Sequence, residues 1–151
     1  MKRWLALLLS LSFAFSLYSC GRSYGESRTV IDRYVALSKE NGRIYSSLAG
    51  PESAEYISSD FRSVMFGDSP LSSDFTLFIT SHLDLPREIG VFRSDSGDAR
   101  LRLSEDLMER VMLLRSLSDG DGEVFIISDL VIYCFGNDVA EMKEKILNIL
   151  S

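Results

Sequence analysis

The sequence predicts an α+β fold: an antiparallel sheet of about four strands with helices packed on it. Three observations carry this. From Phe75 onward, short β-rich runs and amphipathic segments follow the order β-β-α-β-β-α. Ser128-Asp129 parts the last two runs by two residues, a hairpin spacing. Of the 151 residues, 46% are hydrophobic, enough for a real core in one domain.

Two helices precede that unit. Thr29 to Glu40 places Val30, Tyr34 and Leu37 at helical spacing, flanked by Ile31 and Val35. Asn41-Gly42 stops it. Arg43 to Leu48 reads equally as a short strand or irregular chain. Gly50-Pro51-Glu52 reads as a helix start, with proline in the first turn and an acid beside it. Ile57, Phe61 and Val64 then share a face up to Gly67. Asp68 to Asp74, with Pro70 and three serines, is a loop.

Phe75–Thr80 and Ile89–Arg93 are the first two strands of the unit. Asp98 is the expected cap of a helix running to Leu117. Leu103, Leu107, Val111 and Leu114 form its apolar stripe, which Met108 and Met112 widen and Leu117 extends. Val124–Ile127 and Leu130–Phe135 are the second strand pair, apolar enough for both sheet faces to be covered. The two early helices are then expected on the face opposite the two later ones. Asp138 with Glu141 fits a capping box for a last helix whose apolar face carries Val139, Met142, Ile146 and Ile149.

The N-terminus has a different character. Lys2 and Arg3 precede an apolar run from Trp4 to Leu17, which ends in Leu17-Tyr18-Ser19-Cys20-Gly21. A positive start, an apolar stretch and a small residue at the break are the parts of a secretory signal peptide. The run is shorter than the roughly 18–20 residues of a spanning helix. A plain secreted protein with a stray cysteine, or a retained anchor, are the competing readings. The Leu-x-small-Cys pattern resembles the lipobox of bacterial lipoproteins. In that family the cysteine thiol receives diacylglycerol, with palmitate-type chains, and cleavage before it makes the cysteine residue one. The resemblance implies cleavage between Ser19 and Cys20 and lipidation of Cys20. It divides the chain into a signal peptide 1–19, a lipidated tether 20–28 and one α+β domain 29–151.

Charge agrees with that reading. Residues 1–19 hold two of the 16 basic residues and none of the 22 acidic ones, which leaves the remaining 132 residues at −8. Such a domain lacks the basic footprint of nucleic-acid binding. It also lacks a basic patch for an anionic membrane, so two acyl chains would have to hold it there. With Cys20 lipidated, Cys134 has no disulfide partner in the chain and reads as a buried small hydrophobe.

From Ile57 on, the chain resembles a family of bacterial lipoproteins of Gram-positive anaerobes, described only as a domain of unknown function. The residues that carry this are Glu88–Arg93 after a β segment, Met108–Arg115 in the long helix, and Ile127–Tyr133 before an acid-capped helix. The resemblance implies an extracytoplasmic, membrane-anchored protein of the cell envelope and brings no activity, cofactor or catalytic residue.

Candidate chemistry is sparse. His82 is the one histidine, and no Gly-x-Ser-x-Gly elbow accompanies it. Asp119, Asp121 and Glu123 alternate like the start of a calcium loop, but the sixth and twelfth places hold Val124 and Leu130. No metal or cofactor site is expected. Phe75, Phe78, Phe92, Phe125, Tyr133 and Phe135 read as core. The best polar candidate is the pair Glu88 and Arg110, which a helix over the strand would bring within salt-bridge range. The expected function is a non-catalytic binding or accessory module with a protein or envelope partner. The alternative is a small hydrolase-like envelope enzyme using His82 and acidic residues. A solute-binding lipoprotein would need two lobes, for which the chain is short.

Overall fold

One antiparallel sheet organises the chain, and it has five strands. The computed structural model describes residues 27–81 and 86–151. Ser19, Cys20, the signal peptide, the tether up to residue 26, and His82 lie outside the described residues.

In chain order the elements are α1 (Ser27–Ser38), β1 (Gly42–Ser46), α2 (Ser59–Phe66), β2 (Phe75–Thr80), β3 (Glu88–Arg93), α3 (Gly97–Leu117), β4 (Asp121–Ile127), β5 (Leu130–Gly136) and α4 (Val139–Leu150). The strand order is β1-β2-β3-β5-β4, and every neighbouring pair is antiparallel. The α+β class follows directly, and β1 is the strand beyond the expected four.

Side chains alternate across each strand, so the central strands feed two cores. Ile89, Val91, Ile132 and Cys134 face α1 and α4, and meet Tyr34 and Ile146. Phe75, Leu77, Phe92 and Tyr133 face α2 and α3, and meet Leu107 and Val111. Every residue of β5 is buried, as a strand covered on both sides requires.

This pairing corrects the expected layering. The first and last helices share one face, and the two middle helices share the other. Five strands at about 4.8 Å spacing make a sheet about 24 Å wide, which takes two helices of about 10 Å diameter per face.

Several local expectations also change. The second helix starts at Ser59, not near Pro51, because the preceding segment closes on β1 instead. Ser46 N–H donates to the Glu55 carbonyl, and Tyr56 forms a bridge with Ser46. Ser58 then caps α2, its hydroxyl accepting from Phe61 N–H at 3.1 Å. Met65 is buried on α2 whereas Val64 is 79% exposed. Gly67 ends α2 with φ 61°, a left-handed conformation suited to glycine.

Ser96, not Asp98, caps α3, accepting from Ala99 N–H at 3.1 Å. Asp138 precedes α4 but makes no side-chain cap bond, because its carboxylate goes to Arg87. Leu37, Met108, Met112 and Leu117 lie exposed and so do not belong to the buried stripes. Helix α1 begins two residues before the expected domain start. Buried Ser27 donates from its hydroxyl to Asp74 and also bonds the Thr76 hydroxyl at 2.7 Å. Asp74 thereby places a negative charge at the N-terminus of α1, where the helix dipole favours it.

The Ser128-Asp129 turn joins β4 to β5 as a two-residue hairpin, with Ile127 opposite Leu130 and Ser128 at φ 55°. Cys134 is fully buried in β5 and is a free thiol. Burial, with the nearby Glu123 charge, pushes that thiol up to about 12, so it is protonated and unreactive at neutral pH.

Candidate functional site

Two adjacent residues at the start of β3 point to opposite faces of the sheet. Glu88 turns toward α3 and Arg87 toward the ends of α1 and α4. Each builds a polar cluster.

The structure brings Glu88 and Arg110 together. Arg110 Nε donates to Glu88 Oε1 and Nη2 to Glu88 Oε2, both at 2.9 Å, a two-pronged pair. The side chains are 6% and 10% exposed respectively. Tyr133 Oη also donates to Glu88 Oε1 from β5, and Arg110 Nη2 reaches Met65 Sδ at 3.2 Å. Burial opposes the Arg110 charge, but the Glu88 hydrogen bonds and carboxylate charge outweigh it and hold the guanidinium above its ordinary value. Burial, followed by the Glu88 charge, raises the Tyr133 phenol well above its ordinary value. Arg110 therefore stays charged and the Tyr133 phenol stays protonated at neutral pH.

The geometry depends on Gly90. It pairs with Tyr133 across β3 and β5. A Cβ at Gly90 would stand 2.2 Å from Tyr133 Cε1. The absent side chain therefore lets the Tyr133 ring lie across β3 so that its hydroxyl meets Glu88.

The second cluster was not foreseen. Arg87 donates from Nη1 to Glu40 Oε1 at 2.7 Å and from Nη2 to Asp138 Oδ2. Tyr34 Oη donates to the same Glu40 oxygen at 3.2 Å. This cluster ties the end of α1 to the start of α4 and sits nearer solvent, with Arg87 27% exposed. Glu40 Oε2 and Asp138 Oδ1 are buried without a hydrogen-bond partner among the described residues.

Two of the alternating acids take ordinary partners. Asp121 pairs with Arg115 and Glu123 with Lys143. The Asp121 carboxyl lies below its usual range, mainly through the Gly122 N–H and then through Arg115. Among the described residues, no three His, Cys, Asp or Glu side chains gather as a metal site. Of the expected core aromatics, Phe125 alone is only half-buried; it lies on edge strand β4, with Lys143 Nζ 5.2 Å from its ring centre.

Open surface concavities occur among the described residues. One, of about 210 Å³, is lined by Ser73, Asp74, Arg93 and Asp95. Another, of about 480 Å³, is lined by Gly42, Arg43, Ile44, Ala54 and Glu55. Neither is lined by Glu88, Arg110 or Tyr133.

Exposed apolar side chains gather elsewhere, on α3. Leu101 is 59%, Met108 38% and Met112 63% exposed. Their spacing of seven and four residues puts them in one row on the side away from buried Leu103, Leu107 and Val111. Glycine sets the helix close to β4, since a Cβ at Gly122 would stand 2.5 Å from Val111 Cγ1. Sequence reasoning placed Met108 and Met112 at the edge of the core; the exposed row is where they are found.

No family model, no curated protein and no solved structure matches the chain. Among the described residues, no helix is long and apolar enough to cross a membrane.

Proposed function

We propose that this chain is an extracytoplasmic lipoprotein of the bacterial cell envelope, belonging to the lipoprotein family that its sequence resembles. Diacylglycerol on Cys20 holds it to the membrane. Its domain is a non-catalytic binding or accessory module for a protein partner.

The observation that carries the binding role is the outer face of α3. A soluble domain rarely leaves large apolar side chains in a row without a partner for them. Methionine suits such a surface, because its flexible thioether adapts to different contacts. The interior polar groups support the same reading from the other side, since Glu88, Arg110 and Tyr133 bond one another under α3.

The anchor sets the geometry of the module. Six residues separate Cys20 from Ser27. Fully extended, that reach is at most about 25 Å. The Asp74 end of the domain would therefore stay close to the bilayer.

Two measurements test the proposal. Wild-type protein should incorporate labelled fatty acid in cells and Cys20→Ser should not; labelling of Cys20→Ser would refute the anchor. Proximity labelling from the domain should return the same envelope protein repeatedly and lose it when Met112→Asp is introduced. Unchanged labelling in Met112→Asp would refute the α3 face as the binding surface.

A further inference from the structure

We infer that the α3 face docks a basic amphipathic helix of a partner protein, with lysine or arginine set against Glu105. The inference rests on the binding-module reading and names the chemistry of its partner.

Along α3, Asp98, Leu101, Glu105, Met108 and Met112 recur every three or four residues. That is the spacing of a helix-packing seam. All five side chains are exposed, as is Glu109 beside them. Among the described residues, none of Asp98, Glu105 and Glu109 takes part in an ion pair, whereas other acids such as Asp121, Glu123 and Glu141 do. Arg102 offsets one of the three charges. The seam is thus apolar at Leu101, Met108 and Met112, and negative between and beside them.

Three occupants compete for such a seam, and charge separates them. A second copy would bring the same acids, on a domain whose residues after the signal sum to −8. A bilayer would have to bury Glu105, which lies inside the row, and an anionic surface would repel it. A helix with leucine-like residues and a cation satisfies both parts. Its apolar side chains cover Leu101, Met108 and Met112, and its cations meet Glu105 and Glu109. Complementary charges of this kind also raise the rate of encounter and exclude acidic competitors.

Met108 and Met112 provide their own readout, since peroxide converts exposed thioethers to sulfoxides. The full chain in a neutral detergent would be footprinted alone, with a synthetic leucine–lysine amphipathic helix, and with a leucine–glutamate helix of the same apolar face. Met142, only 1% exposed, is the internal reference. The expected result is protection of Met108 and Met112 by the lysine peptide and none by the glutamate peptide. Glu105→Lys with Glu109→Lys should weaken the lysine peptide about ten-fold, and Leu101→Asp should weaken it comparably. Circular dichroism melts of these exposed-site variants should match wild type.

Equal protection by both peptides would overturn the inference, as would unchanged affinity in the variants. Protection that rises with protein concentration alone would assign the face to a second copy. Protection by phosphatidylglycerol vesicles without peptide would assign it to the membrane. Fatty-acid labelling at Cys20 and proximity capture test the parent proposal separately, so its failure and failure here are distinguishable.

Discussion

The Glu88 and Arg87 clusters use the same groups at different depths. Each joins an arginine, a carboxylate and a tyrosine hydroxyl. In the Glu88 cluster both oxygens of one carboxylate are bonded within a sealed space beneath α3. In the Arg87 cluster two carboxylates share one arginine near solvent, and one oxygen of each has no hydrogen-bond partner among the described residues. Depth, and not the type of residue, decides how much each holds. A charge in the sealed site cannot fall back on water if its partner is lost, whereas one at the rim can.

Arg110→Ala should produce the largest effect, because it strands the Glu88 carboxylate under α3. Loss of one partner from a buried pair costs about 3–5 kcal/mol, read as a fall in the denaturant midpoint. Replacing both partners, with Glu88→Leu and Arg110→Met, should recover much of that loss. An Arg110→Ala loss no greater than that of Arg87→Ala would remove the distinction between the two sites.

Gly90→Ala should come next. Its methyl group would collide with the Tyr133 ring and displace the hydroxyl from Glu88, and overpacking of this kind costs about 1–3 kcal/mol. Thermal melts would check this against Gly97→Ala, where the nearest atom to a new Cβ is Arg100 Nη2 at 3.9 Å. Gly97→Ala should leave the melt near wild type. A Gly90→Ala melt that also matched wild type would show that the Tyr133 ring does not need that space.

Arg87→Ala should cost less, about 1 kcal/mol, since the partly exposed pairs there are screened by solvent. Urea unfolding resolves a change of that size.

The smallest effect near neutral pH is an alkaline slope. Tyr133 and Cys134 are neighbours that face opposite sides of the sheet, and burial raises the values of both. The folded state therefore retains protons that the unfolded state releases. That contribution is complete below the unfolded thiol value near 9 and is lost as pH rises toward the folded value of about 12. Stability should fall across this window, and Cys134→Val should flatten the fall without abolishing it. A slope unchanged in Cys134→Val would leave the buried tyrosines Tyr133 and Tyr34, both also raised by burial, as its source.

How much of this was legible in the sequence depends on how local each signal is. Glu88 and Arg110 stand out because each is a charge beside apolar residues that must be buried. Tyr133 had the same signal, a hydroxyl inside an apolar strand that needs a partner when buried, but its neighbours made it read only as core. Gly90 looked like any strand glycine until its register against Tyr133 was known. Glu40, Arg87 and Asp138 are spread across the chain and surrounded by loop residues, so nothing local joins them. Strand β1 was undecided because its Arg43 and Ser46 resemble loop, and only pairing with β2 makes it a strand. The outer row of α3 reads in the sequence as a wider core stripe, because apolar residues stand on more than one side of that helix.

By itself the sequence determined the α+β class, the two-residue hairpin, the central strands and the presence of apolar stripes on the helices. Periodicity is a local property, and it is sufficient for these features. Only the tertiary structure decided which helices share a sheet face, which arginine meets which carboxylate, and which methionines remain in solvent. Those outcomes depend on strand order and register between residues distant in the chain. A repeat of 3.6 shows that a helix has an apolar side, but not what that side will face.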